Sequence, residues 1–234
     1  MIVYQAKSYS EMCKKAADMI SAQIILNPNS VLGLATGSTP IGVYERLADA
    51  YSRGELDFSG ITTFNLDEYC GISENDPQSY HYYMNEHLFS KVNITGAYLP
   101  KGNAIDMEAE CRRYEELITS VGGIDLQLLG IGNNGHIGFN EPNTEFARST
   151  HCVTLDADTI SANSRFFDDY NDVPRKAITM GIKTIMSAGR ILLIANGAAK
   201  ADILQKALQG AITPSVPASI LQLHSNLTVI YSEN

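Results

Sequence analysis

The stretch Ile131–Pro142, IGNNGHIGFNEP, holds an imidazole (His136) and a carboxylate (Glu141) in a loop made pliant by glycine. An imidazole changes charge near neutral pH, so His136 is a candidate acid/base group. Glu141 is close enough in sequence to orient it, and Asn134 can hydrogen-bond to either one. This makes a base, an orienter and a helper without a nucleophile. The chain has no G-x-S-x-G elbow to supply a serine, which disfavours acyl transfer. The ordinary alternative for a lone loop histidine is a structural one. The same loop carries Gly130, Gly132 and Gly135 in a G-x-G-x-x-G spacing after the apolar Leu126, Leu128 and Leu129. A dinucleotide fingerprint also needs a helix opening at the glycines and an acid about 20 residues on. Asp156 could be that acid, but Gly138 and Pro142 oppose the helix. A pyrophosphate cradle also wants bare backbone N–H groups, not an imidazole and a carboxylate.

Other reactive residues follow other apolar runs. Asp67 and Glu68 form an acidic pair after ITTFNL; such a carboxylate serves as a general base if its surroundings tune it, or else caps a loop. TGSTP places Gly37, Ser38 and Thr39 ahead of Pro40, where a helix N-terminus could bind phosphate or Thr39 could simply cap it. The loop is not a Walker A sequence. Lys200, in NGAAK, is a candidate point charge for phosphate, or a solvated lysine. Arg165, in SANSRFF, offers a fork of donors, or pairs with Asp168 or Asp169. No metal site is expected: His136 is the one histidine in these loops, and His81, His87, His151 and His224 have no ligand spacing around them.

These loops need elements to position them. Apolar patterning predicts strands at Ile2–Ala6, Val31–Ala35, Ile61–Leu66, Ile124–Leu129, Arg190–Ala195 and Leu227–Tyr231, with a short one around Val153 and Leu155. Helices are predicted over Ser8–Ile25 (with Ser8 and Glu11 spaced as a capping box), from Pro40, and over Ser79–Phe89, Asp106–Ile118 and Ala198–Leu208. The alternation predicts an α/β fold: a single domain over residues 1–234, with an open, mostly parallel sheet and helices on both faces, Rossmann-like. In such sheets ligands sit beyond the carboxyl ends of the strands. TGSTP, DEY, the IGNNGHIGFNEP loop and NGAAK would then share one edge.

Composition narrows the partners. The chain has 234 residues, of which 44% are hydrophobic, and a net charge of −9. With no run of Lys or Arg longer than two, nucleic acid is not expected as a partner. No apolar stretch has the length of a membrane span and no secretory signal is evident, so a cytoplasmic location is expected. The four cysteines, Cys13, Cys70, Cys111 and Cys152, form no C-x-x-C pair and read as reduced thiols.

LATGSTP, FNLDEY, GIGNNGHIGFNEP, NSRFF and SILQLH together resemble the glucosamine-6-phosphate deaminases, from about Val31 to the end of the chain. The resemblance implies conversion of glucosamine 6-phosphate and water to fructose 6-phosphate and ammonia, an isomerisation joined to hydrolytic deamination, with no cofactor. It also implies roles. Asp67 would be the base for the C2 proton, and His136 with Glu141 would open the pyranose ring. Ser38, Thr39, Arg165 and Lys200, with Gly37 in the same loop, would hold the phosphate. Many members carry Asp where this chain has Asn134, so Asn134 is assigned a hydrogen-bonding role in ring opening. The allosteric members extend beyond the position of Asn234, so this chain is expected to lack their activation and to be a monomer or small homo-oligomer. Residues 156–176 are expected to form a lid carrying Arg165. Two alternatives stand beside this reading: a 6-phosphogluconolactonase, which needs no base at C2, and a sugar-phosphate-sensing module that binds without turnover.

Overall fold

The computed structural model describes residues 1–156, 160, 161, 169 and 173–233. A seven-stranded sheet has the strands β1 (Ile2–Ala6), β2 (Val31–Leu34), β3 (Thr62–Asn65), β5 (Gly96–Tyr98), β6 (Leu126–Leu129), β9 (Arg190–Asn196) and β10 (Leu227–Ser232). Their spatial order is β1-β10-β9-β6-β2-β3-β5, and every pairing is parallel. The predicted fold class is therefore the one observed. The chain builds outward from β2 through β3 to β5, then returns to the other side of β2 with β6. This makes β2/β6 a switch point, where crevices open in parallel sheets. β2 and β6 are buried along their whole length, and β9 over its five central residues, as expected for strands covered on both faces.

The helices are α1 (Tyr9–Leu26), α2 (Ile41–Ser52), α3 (Tyr80–His87), α4 (Met107–Ser120), α5 (Ile182–Met186) and α6 (Ala201–Gln209), these being the ones among the described residues. Ser8 caps α1 by accepting from Glu11 N–H, but the reciprocal arm differs from a capping box: the Glu11 carboxylate accepts from Lys7 N–H instead of Ser8 N–H. Pro40 is not inside α2 but precedes it as the cap residue, and no side chain caps that helix. The Thr39 hydroxyl is thus not used as an N-cap. The helix predicted from Ala198 opens as a 3-10 turn, Ala198–Lys200, and becomes α-helical at Ala201. Among the described residues, no helix is long and apolar enough to cross a membrane.

The patterning does not anticipate a second sheet. β4 (Asp67–Tyr69), β8 (Lys176–Thr179) and β7 (His151–Thr154) form an antiparallel sheet in the order β4-β8-β7. The run predicted as one strand to Leu66 ends at Asn65, and the chain enters this small sheet at Asp67, opposite Thr179. A six-residue cluster of Tyr69, Phe139, Leu155, Ile160, Val173 and Ala177 packs on it, separate from the main core. All four cysteines are free, with Cys70 Sγ and Cys152 Sγ 3.7 Å apart.

Close backbone approach fixes β4 in place. Gly71 N–H donates to Gly102 O, and a Cβ at Gly102 would lie 1.9 Å from Tyr69 O. Gly102→Ala should therefore cost about 1–3 kcal/mol through forced overpacking. Urea unfolding should show this as a lower midpoint at constant slope, and an unchanged midpoint would contradict the packing described.

Candidate active site

β9, β6, β2 and β3 are consecutive neighbours in the sheet. At a strand spacing of about 4.8 Å, the loops leaving their carboxyl ends are rooted within roughly 15 Å of one another. These are the four loops singled out in the sequence.

The loop after β6 is made of turns, not a helix, so the dinucleotide reading of its glycines fails on structure. Gly135 (φ +89) and Gly138 (φ +59) occupy the left-handed region that other residues avoid. A Cβ at Gly132 would lie 2.3 Å from the His136 ring, so Gly132 makes room for the imidazole. His136 Nδ1 is 3.2 Å from Glu141 Oε2, and Asn134 Nδ2 donates to the same oxygen at 2.7 Å. Asn134 Oδ1 in turn accepts from His136 N–H at 3.1 Å. Asn134 thus braces both partners at once. With the Glu141 side chain only 7% exposed and accepting at Nδ1, the neutral imidazole carries its proton on Nδ1. Nε2 is then the basic nitrogen.

The same loop lies over Asp67. Phe139 N–H donates to Thr179 Oγ1, beside the Asp67–Thr179 pair of the small sheet. A Cβ at Gly138 would sit 2.8 Å from Thr179 Oγ1, 3.4 Å from Asp67 Oδ2 and 3.6 Å from Asn140 Nδ2. Asn140 ties the turn down by donating to Ile137 O and Met180 O. Its own Oδ1 and both side-chain polar atoms of Asn65 are buried without a hydrogen-bond partner among the described residues. Sequence reasoning missed Asn140, Asn65, Thr179 and Gly138 in this role, since their proximity depends on the second sheet.

Burial raises the pKa of both acids of DEY, but they differ in their hydrogen bonds. Glu68 accepts from the N–H groups of Tyr69, Tyr80 and His81, each at 2.9 Å, and so seats the N-terminus of α3. Asp67 is buried, and no hydrogen bond or cation among the described residues offsets that burial. Burial, and secondarily the Glu68 carboxylate, push its pKa up to about 8. Tyr69, Tyr80 and Phe139 form an aromatic wall here, with Tyr80 and Phe139 stacked at 6.0 Å.

Lys200 is half-buried, and Nζ donates to Ile131 O at 2.8 Å and to Asn133 Oδ1 at 2.6 Å. Burial lowers its pKa. It therefore joins the loop after β9 to the loop after β6. In TGSTP, Gly37 has φ +100, and the loop carbonyls bond to tyrosine hydroxyls. Arg165 and most of the expected lid, residues 156–176, lie outside the described residues. His224 is structural: Nε2 bonds to Ala188 O, and Nδ1 accepts from Asn226 N–H. Among the described residues no group of side chains has the makings of a metal site.

The raised pKa of Asp67 has a consequence for stability. Below pH ~3.9 both folded and unfolded chains hold this proton. Between there and about 8 the unfolded chain releases it and the native state keeps it, so stability falls as pH rises. Asp67→Asn should therefore exceed the natural protein in stability at pH 8, by on the order of several kcal/mol, with the gap closing toward pH 4. Denaturant titrations at the two pH values measure this. A gap independent of pH would contradict the assigned burial.

Known proteins resemble this chain over nearly its whole length. A family model described as glucosamine-6-phosphate isomerases/6-phosphogluconolactonase matches residues 5–230. A glucosamine-6-phosphate deaminase of Lachnoclostridium phytofermentans is 61% identical over 232 residues, covering 98% of each chain. One from a Geobacillus species is 54% identical over 236 residues, covering 100% of this chain and 94% of its own. The solved structure of a monomeric glucosamine-6-phosphate deaminase, 50% identical, superposes with a TM-score of 0.97 over 99% of this chain and 97% of its own. A 6-phosphogluconolactonase from Thermotoga maritima, at 21% identity and a TM-score of 0.77, shares the fold. The chain belongs to the glucosamine-6-phosphate isomerase/6-phosphogluconolactonase family.

Proposed function

We propose that this protein is a deaminase and isomerase that converts glucosamine 6-phosphate and water to fructose 6-phosphate and ammonia. The observation that carries the proposal is the pairing of two acid/base groups on one loop edge: His136 braced by Glu141 and Asn134, and Asp67 buried beneath the same loop. The deaminases at 50–61% identity support the substrate assignment.

The closed sugar hides its aldehyde, so ring opening comes first. His136 Nε2 takes the proton of the O1 hydroxyl and, as imidazolium, gives it to the ring oxygen as the C1–O5 bond breaks. Glu141 stabilises the imidazolium while it exists. The C1 carbonyl now acidifies the C2 proton. Asp67 removes it, the electron pair moves into the C1–C2 bond, the carbonyl pair moves onto O1, which takes a proton from the substrate's ammonium group, and an enolamine forms. Return of the proton to C1 leaves an iminium at C2. Water adds there, the C2–N bond breaks, and ammonia leaves with its electron pair. Positioned proton transfer of this kind contributes roughly 10²–10⁴-fold per step. Gly37, Ser38, Thr39 and Lys200, with Arg165, hold the phosphate, so that binding energy remote from C1 and C2 is applied to orientation there.

The poise of Asp67 fits this chemistry. A base with a pKa of about 8 is far stronger than an ordinary carboxylate. The substrate's ammonium group, held nearby, favours its ionised form on binding. Lactone hydrolysis acts at C1 and requires no removal of the C2 proton, so it gives Asp67 no such task.

Incubation with glucosamine 6-phosphate should release ammonia and fructose 6-phosphate in equal amounts, measured by coupled assays. Lactone hydrolysis without ammonia would reject the proposal. Asp67→Asn should lower kcat at least a hundredfold and still bind fructose 6-phosphate. In the natural protein kcat/KM should rise with pH along a limb centred near 8, the pKa of the free base; a limb near 4 would remove Asp67 from that role.

A further inference from the structure

The phosphate loop has two side chains behind it that the reaction scheme leaves unused. The hydroxyl of Tyr83, in the body of α3, donates to Gly37 O at 2.6 Å. The hydroxyl of Tyr9, the first residue of α1, lies 3.1 Å from Thr39 O and 3.3 Å from Ser38 O, and accepts from Gly42 N–H at 3.0 Å. Three successive carbonyls of the loop are thereby engaged by two helices, one before and one after the loop in sequence. We infer that Tyr83 and Tyr9 are positioning residues for the phosphate: they fix the loop's carbonyls so that its amide N–H groups face the substrate.

A trans peptide is planar, with its C=O and N–H pointing in opposite directions. Holding the Gly37 carbonyl toward Tyr83 therefore turns the Ser38 N–H the other way, and holding the Ser38 carbonyl toward Tyr9 does the same for Thr39 N–H. Neither amide hydrogen-bonds within the described residues. Pro40, the next residue, has no N–H to offer. A phosphate dianion is attracted by N–H groups and repelled by carbonyl oxygens, so a loop free to rotate its peptides would present both. Gly37 is the residue that could permit such rotation. Its φ of +100 suits glycine, and nothing lies within 4 Å of where a Cβ would stand. No side chain crowds it into one conformation. The tyrosine hydroxyls supply that restraint instead, and α2 does not, because no side chain caps its start.

The tyrosines also connect the phosphate loop to the base. Tyr83 is carried by α3, whose first N–H groups are seated on Glu68, the neighbour of Asp67. One short helix thus sets the distance between the group that grips the phosphate and the group that takes the proton.

The inference deepens the proposed function and rests on it for the identity of the substrate, but its first test does not. Calorimetric titration with inorganic phosphate compares the natural protein with Tyr83→Phe and Tyr9→Phe, which keep the rings and lose only the hydroxyls. Each variant should weaken phosphate binding three- to tenfold, and the double variant more. KM for glucosamine 6-phosphate should rise in step, with a smaller fall in kcat as the loosened phosphate orients C1 and C2 less well. Unchanged phosphate affinity in both single variants would overturn the inference, as would a fall in kcat at unchanged KM or absence of phosphate binding by the natural protein. Weakened phosphate binding with no ammonia released by any form would leave the inference standing and reject the proposed function instead.

Discussion

The structure turns on a carboxyl group buried without a counter-charge. Asp67 stands beside a second acid, Glu68, which accepts from three backbone N–H groups. Those donors offset only part of the burial that raises the pKa of Glu68 itself, and Asp67 has no such donors among the described residues. A buried acid in that position is held as the neutral form until pH approaches about 8, or until a cation arrives. An amino sugar brings such a cation with it. The constraint therefore links fold and chemistry: the burial that holds Asp67 neutral in the empty protein is offset by the ammonium group, which favours the ionised carboxylate.

The rest of the site is arranged around that position by two kinds of sheet. The parallel sheet brings the TGSTP loop, the His136 loop and the Lys200 turn to one edge by strand order alone. The small antiparallel sheet then turns Asp67 away from the main core and sets it opposite Thr179, which anchors the His136 loop through Phe139 N–H. Two glycines make the fit possible at close range. Gly132 leaves space for the imidazole, and Gly138 leaves space beside Thr179 and Asp67. Asn134 serves here as a brace, donating to Glu141 and accepting from His136 N–H, a task an amide performs without titrating.

Much of this was legible in the residues, for reasons that can be named. Buried parallel strands are continuous apolar runs, and VLGL, LQLL and RILLIAN are of that kind. The His136, Glu141 and Asn134 set lies within one loop, so its contacts follow from short spacing. What escaped the sequence depends on pairings between distant residues. β4 and β5 are three residues long, too short for a period to register, and β4 pairs with β8 across more than a hundred residues. An Asp-Glu pair read alone gives no sign of which acid caps a helix; the answer lies in Tyr80 and His81, at the start of α3. Thr39 before Pro40 has the pattern of a cap, yet the helix starts uncapped and the loop carbonyls go to Tyr9 and Tyr83.

The central claim is that Asp67 is neutral in the free protein well above the range of ordinary carboxylates. The most direct measurement is a carbon-13 NMR titration of aspartate carboxyl groups in the unliganded protein, with the Asp67 signal assigned by its disappearance in Asp67→Asn. The account predicts a midpoint near 8, moving downward when an amino sugar phosphate binds. A midpoint near 4 in the free protein, unmoved by that ligand, would contradict it.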